Sequence, residues 1–147
     1  MMTNNGIRFV YLAGPIDLDP TSHKSDWRKE AAEMLEAEGI CSFLPSEAFV
    51  WTGGVPGYEK VIRINTAALE QADAVLFHLN SRVTIGTVRE IQVAADRNIP
   101  SILWIDADCW DKYSKSLYLA GLRVEHTLDQ AVKTLLNTEL HLLRPRE

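Results

Sequence analysis

The sequence is short of several things, and each shortage excludes a class of protein. Its two cysteines, Cys41 and Cys109, form no metal-spaced cluster, and Cys41, inside an apolar strand-like run, reads as a small core residue. The four histidines, His23, His78, His126 and His141, show no ligand spacing either, so neither a metal nor another cofactor is expected. There is no long basic run and the net charge is -5, which argues against a nucleic-acid polymer as partner while leaving a small anionic ligand open. No apolar run approaches the length of a membrane span, and residues 1–6 lack the apolar core of a signal peptide. The expected compartment is the cytoplasm, with no membrane partner. Neither a GxSxG elbow nor a GxxxxGK[ST] phosphate loop occurs, no Ser/His/Asp order stands out, and there is no internal repeat.

What is present is an ordinary globular chain. Its 147 residues are 46% apolar and 24% charged, enough for one domain, 1–147, with a real core. Apolar runs rich in β-formers predict strands over residues 7–13, 40–44, 73–79 and 100–105, with a short edge strand at 123–126. Helical patterns alternate with them. One runs from about 25 to 38, with Ser25 as N-cap and Trp27, Ala31, Met34 and Leu35 as its buried stripe. The next spans 58–72 with Val61, Ile64, Ala68 and Leu69 apolar, and a third spans 87 to about 98. Residues 106–114 read as a loop and 116–122 as a short helix. The capping box Thr127-Leu128-Asp129-Gln130 opens a last helix that reaches about Leu142, ahead of a charged, frayed tail at 143–147. Residues 45–57, with two Pro and three Gly beside Phe49 and Trp51, form a loop long enough for a lid or a surface crossover.

Five strands alternating with helices predict an α/β three-layer sandwich around a parallel sheet, in the flavodoxin-like order 2-1-3-4-5. In that order strands 1 and 3 are neighbours and the chain reverses between them, so the loops after them converge at one edge. Those loops are Gly14-Pro15-Ile16-Asp17 and the stretch Ser81 to Gly86. A pocket is therefore expected there from topology alone.

The residues around that pocket each admit two readings. Tyr11 aims its hydroxyl into the pocket or into the core. Asp17 binds a sugar hydroxyl or caps its turn. Asn65 offers a donor and an acceptor, as a nucleobase edge requires, or is a polar helix residue. Arg28 is a solvated helix charge or an anion contact, and Trp27 is more core than ligand platform. Gly86 lets a ligand approach the backbone, and Glu90, placed in the first turn of the third helix, is a nucleophile or merely complements the helix dipole.

Taken together, Tyr11-Leu12-Ala13-Gly14-Pro15-Ile16, Trp27-Arg28, Asn65 eight residues before Asp73, and Gly86-Thr87-Val88-Arg89-Glu90 resemble the nucleoside 2-deoxyribosyltransferase family, from Tyr11 to about Ile105. The resemblance implies the same flavodoxin-like fold. It implies that Glu90 attacks C1′ of the sugar to form a glycosyl-enzyme, that Tyr11 orients Glu90, and that the Gly14-Pro15 loop shapes the sugar end. The intermediate would pass to a second base or to water. The substrate expected is a (deoxy)nucleoside or its 5′-monophosphate, and the assembly a homo-oligomer, a dimer or larger, because these enzymes complete the pocket from a neighbouring subunit. Candidate contacts are the loop around Trp51 and the segment from Trp110 to Tyr118. Two positions depart from the family. Asn65 and Thr84 stand where the transferases commonly have Asp, and Thr84 lies six residues before Glu90. Losing two carboxylates makes room for a 5′-phosphate, as in the related deoxynucleotide N-hydrolases, held by Ser81, Thr84, Thr87 and the first-turn N–H groups with Arg82 or Arg89 nearby. The alternatives are a phosphoribohydrolase acting on a ribonucleoside monophosphate, though its usual double glycine is absent, and a non-catalytic nucleotide-binding domain.

Overall fold

The strands form one parallel sheet in the order β2-β1-β3-β4-β5, as the alternation of elements predicts. The computed structural model describes residues 6–14, 27–43, 54–80, 85–115 and 121–145, and of 54–58, 61 and 85 the backbone alone. The strands are β1 (Phe9–Ala13), β2 (Cys41–Phe43), β3 (Ala74–Leu79), β4 (Ser101–Ile105) and β5 (Arg123–Glu125). The helices are α1 (Trp27–Glu36), α2 (Gly54–Gln71), α3 (Ile85–Asp96), the single turn α4 (Trp110–Tyr113) and α5 (Leu128–Asn137). All six residues of β3 are buried, the pattern of a central strand covered on both faces.

Strand alternation sorts the core into two layers. Val10, Leu12, Ala74, Leu76 and Ile102 face α1 and α5, meeting Ala31, Leu35, Leu128, Ala131 and Leu135. Tyr11, Ala13, Val75, Phe77, Leu79, Leu103 and Ile105 face α2 and α3, meeting Leu69, Ile91 and Ala94. Asp73 locks the register of the two central strands: its Oδ2 accepts the N–H groups of Arg8 and Phe9 at 2.9 and 3.0 Å. That is why it lies just before β3 and not within it.

Several sequence expectations are corrected. Cys41 is exposed, because β2 is an edge strand only three residues long. Helix α2 starts at Gly54, four residues before Tyr58, with Pro56 in its first turn, where the missing N–H costs nothing. Residues 107–113, expected to be loop, form a 3-10 turn (Ala107–Cys109) running into α4. Helix α5 opens as expected, with Thr127 Oγ1 accepting the Gln130 N–H at 3.1 Å. It ends at Asn137, because Thr138 takes an extended conformation, and a 3-10 turn (Leu140–Leu143) follows. Leu143 is buried against the α1–α5 layer, so the expected tail is not frayed at that residue. Ser25, the aromatic loop at 45–53 and the short helix at 116–120 lie outside the described residues.

Candidate active site

Tyr11 and Glu90, the two residues expected to carry the chemistry, meet on one face of the sheet. Tyr11 is the third residue of β1 and points to the α2–α3 side, fully buried, its ring stacked on Phe43 at 5.3 Å. Glu90 comes from α3, which packs on the same face. The tyrosine hydroxyl and the carboxylate act on each other directly. Burial pushes the Glu90 carboxyl above the usual carboxylate range, and the Tyr11 hydroxyl, then Arg28 and Arg89, pull it back. Burial, then the Glu90 charge and the hydrogen bond to it, raise the Tyr11 phenol far above its ordinary value, so Tyr11 stays protonated. Yet Tyr11 Oη and Glu90 Oε2 each lack a hydrogen bond of ordinary geometry. The pair is close enough to couple but is not closed, as catalytic hydrogen bonds often are before substrate arrives.

The position of Glu90 within α3 differs from expectation. The helix begins at Ile85, so Glu90 is its sixth residue, in the second turn, and Gly86 is helical. Gly86 fits there because a first-turn residue needs no intrahelical N–H partner, and the fall-off of the dipole beyond the first turn leaves desolvation to dominate at Glu90. Gly86 is exposed and Thr87 is buried behind it. Asn65 lies on α2, joined to α3 by Arg89 Nη1 donating to Thr66 Oγ1 at 3.1 Å. Its Oδ1 is buried without a hydrogen-bond partner, an acceptor left for something other than the helix backbone.

Gly14 ends β1 at a point with no room for a side chain. A Cβ there would lie 2.9 Å from the His78 carbonyl oxygen and 3.1 Å from Trp27 Cζ2. The structure thus pairs Tyr11 with Glu90 on the α2–α3 side of the sheet and places Gly14 just after β1, while Asn65 lies on α2 and Gly86 and Thr87 in the first turn of α3. Pro15, Ile16, Asp17, Ser81, Arg82 and Thr84 lie outside the described residues. At the same edge the Tyr113 hydroxyl of α4 donates to the Asn80 carbonyl and holds the residue that follows β3.

Two residues take places that neither sequence reading of Arg28 nor the histidine spacing foresaw. Arg28 is neither solvated nor on the surface: it is 2% exposed, with Nη2 donating to the Gly14 carbonyl at 2.6 Å and Nε to the Leu12 carbonyl at 3.2 Å. Its place on the stripe Arg28, Ala31, Leu35, at spacings of three and four, was the available signal. Met34 and Trp27, expected on that stripe, are only partly buried. His78, in the apolar run of β3, faces the opposite side from Phe77 and Leu79. It stacks on Trp104 at 3.6 Å, meets Trp27 edge-on at 5.2 Å, and its Nε2 lies 3.5 Å from Asp106 Oδ2.

The parallel 2-1-3-4-5 sheet with its site between strands 1 and 3 defines a flavodoxin-like α/β protein of the switch-point class. Within that class, the family described as "Nucleoside 2-deoxyribosyltransferase like" matches residues 8–107, and the chain belongs to it. Solved structures agree on the fold. A 2-desoxiribosyltransferase from Leishmania mexicana superposes with a TM-score of 0.67 at 17% identity, covering 88% of this chain and 97% of that one. A 2-deoxyribosyltransferase from Bacillus psychrosaccharolyticus gives 0.62 at 14% identity, covering 90% and 98%. The Clostridium botulinum CMP N-glycosidase BcmB gives 0.59 at 13%, covering 87% and 98%. At these identities the likeness is one of fold. No curated protein matches significantly.

Proposed function

We propose that the protein cleaves the N-glycosidic bond of a (deoxy)nucleoside or its 5′-monophosphate, with Glu90 as nucleophile. Family membership supports chemistry of the deoxyribosyltransferase or N-glycosidase kind. The observation that carries the residue assignment is the coupling, beside the switch point, of the buried Tyr11 with Glu90, whose Oε2 is shielded from solvent. A carboxylate poised to attack must be unsolvated yet ionised. Burial supplies the first condition, and the Tyr11 hydroxyl and nearby guanidinium groups favour the second by opposing part of the desolvation.

In the proposed sequence a carboxylate oxygen of Glu90 forms a bond to C1′ as the C1′–N bond breaks, and the base leaves with the bonding pair. Tyr11 donates toward Glu90 and holds it in line. The departing base takes its proton from solvent water, because Asn65 cannot supply one as an acid; its amide can only hydrogen-bond the base edge. The glycosyl-Glu ester is then opened by a second base or by water, with retention at C1′. With Asn65 and Thr84 in place of carboxylates, a 5′-monophosphate meets less repulsion, and it is expected to be used at least as well as the free nucleoside.

Nucleosides and their monophosphates screened for base release, with and without an added acceptor base, test this reading. Release that depends on Glu90, together with a sugar adduct on Glu90 detected by mass spectrometry after denaturation, supports it. Binding of these compounds with no release by any of them overturns it in favour of a nucleotide-binding domain.

A further inference from the structure

The end of β3 is gripped at two points, and both grips come from the residues that follow β4. At one, the Tyr113 hydroxyl of α4 donates to the carbonyl of Asn80, the first residue past β3. Tyr113 is buried in the α2–α3 layer with Phe77 and Leu79. At the other, Asp106, the first residue past β4, sets its Oδ2 3.5 Å from His78 Nε2. His78 points to the opposite face and lies flat on Trp104, with ring centroids 3.6 Å apart and planes inclined by 12°. Residues 106–113 therefore cross the carboxyl edge of the sheet from one face to the other. They fasten to His78 and Asn80, on either side of the last residue of β3, and α3 begins at Ile85, shortly beyond.

The two fastenings differ. The bond from Tyr113 to Asn80 is closed, and it holds throughout the range in which histidine titrates, because burial keeps the phenol protonated. The contact from His78 to Asp106 is open. A separation of 3.5 Å exceeds a good hydrogen bond, and neither ring nitrogen has a hydrogen-bond partner among the described residues. A neutral imidazole carries one N–H and an imidazolium carries two. Protonation therefore ensures a donor at Nε2 and adds charge attraction to the Asp106 carboxylate. The flat stack on Trp104 suits a cation as well, since the face of an indole attracts positive charge. We propose that residues 106–113 form a strap that positions the end of β3, fastened permanently by Tyr113 at Asn80 and closed at its other end when His78 takes a proton and draws in Asp106. Tyr113 and Asp106 are then positioning residues for the edge from which α3 departs. The charged groups facing His78 are Asp106 from the strap, which favours the proton, and Arg28 from α1, which opposes it. Trp27, Trp104 and Gly14 close round the ring without charge. Burial is the largest influence and holds His78 below the ordinary histidine range, so the strap closes on the acid side of neutrality.

The catalytic consequence rests on Glu90, which is carried on α3, being the nucleophile. The strap itself does not, and the test separates them. Amide hydrogen exchange is followed by NMR in the full-length protein across the titration of the His rings, with the His78 signal assigned from His78→Gln. The strap's own backbone bonds are the reporters: the Cys109 N–H donates to the Asp106 carbonyl and the Ser114 N–H to the Trp110 carbonyl, each at 2.8 Å. Protection of the Cys109 amide, corrected for the intrinsic pH dependence of exchange, should rise about fivefold as His78 protonates, with the same midpoint. His78→Gln and Asp106→Asn should each abolish the rise. Asp106→Asn should also lower the His78 midpoint by about half a pH unit, the sign expected when a facing carboxylate is lost. Tyr113→Phe keeps the buried ring and loses only the fastening at Asn80, so protection of Ser114 should fall about tenfold at every pH. If the enzyme is active, Tyr113→Phe should lower kcat about tenfold and leave KM within about twofold, the mark of a displaced nucleophile and not of a lost substrate contact.

Cys109 protection that stays level through the His78 titration, or that rises as much in His78→Gln, overturns the proposal. So does a His78 midpoint that is unchanged or higher in Asp106→Asn, or Ser114 protection unchanged in Tyr113→Phe. Should His78→Gln fail to fold, the His78 signal is assigned from its contacts with the Trp104 ring and Asp106→Asn decides alone. Loss of the Cys109 rise with a lowered midpoint then supports the proposal, and a retained rise overturns it. In an enzyme that loses its activity with Glu90→Gln, wild-type kcat in Tyr113→Phe overturns it too. Absence of glycosidase activity with the exchange pattern intact counts against the proposed function and not against the strap.

Discussion

Glu90 is held by two demands that pull in opposite directions. As the proposed nucleophile its carboxyl must be ionised, yet burial raises its proton affinity above that of an unfolded chain. A group whose folded pKa is raised stabilises the fold fully at pH below its unfolded value and loses that contribution as pH rises through the folded value. At neutral pH an ionised Glu90 therefore costs stability. Glu90→Gln is expected to lower kcat/KM by at least about a thousandfold. The same variant should melt a few degrees higher at pH 7, with the gain disappearing toward pH 4, as calorimetry across that range would show. A Glu90→Gln protein that keeps wild-type turnover would sink the assignment. Tyr11 poses the same conflict more mildly, as its buried hydroxyl makes no ordinary hydrogen bond. Tyr11→Phe should leave the denaturation midpoint within about 1 kcal/mol of wild type, because the ring still stacks on Phe43. Its turnover should fall by roughly a hundredfold, as when a positioned proton donor is removed.

Among the elements, the end of β1 is the most tightly constrained. Gly14 is wedged between the His78 main chain and Trp27, and backbone cannot yield as a side-chain tip can. Gly14→Ala is expected to cost about 1–3 kcal/mol in urea denaturation, the usual range for overpacking. A Gly14→Ala protein with an unchanged midpoint would show that the strand end relaxes freely. Helix α5 is constrained by its cap instead. Removing the Thr127 hydroxyl leaves the Gln130 N–H without its partner. Thr127→Ala should therefore lose about 1 kcal/mol of stability, read from the same denaturation curves, while base release stays as in wild type. Helix α5 lies in the layer opposite Tyr11, so its cap bears on the fold and not on the site.

For the molecule as a whole, we propose a homo-oligomer, a dimer or larger. Ile62 on α2 and Val88 on α3 are exposed apolar side chains on the two helices that flank the site. Light scattering at micromolar concentration should give a mass at least twice that of one chain, and a monomer mass would refute it. The expected contact segment around Trp110 is in part internal, since Trp110 packs edge-on against His126 at 5.5 Å. The contact loop around Trp51 lies outside the described residues.

Sequence alone determined the five strands, four of the five helices and their order, because strand and helix periods, the Thr127 cap and the unbroken run of β3 are local signals, while the turn of α4 was missed. The sheet order followed from those elements through general rules of connection, and the switch point between strands 1 and 3 followed from the order. Tyr11, Gly14 and Glu90 were legible as candidates because they fall beside that point. What only the tertiary structure decided was which reading each residue takes. Whether Tyr11 faced pocket or core depended on which sheet face α3 covers, and the answer is a buried hydroxyl turned to Glu90. Arg28 read as a solvated charge or an anion contact, and it is neither, because only folding brings the Leu12 and Gly14 carbonyls within its reach, sixteen and fourteen positions away. The proton affinities of Glu90 and His78 belong to the same level, since desolvation and the field of Arg28 exist only once separate segments share one dry interior.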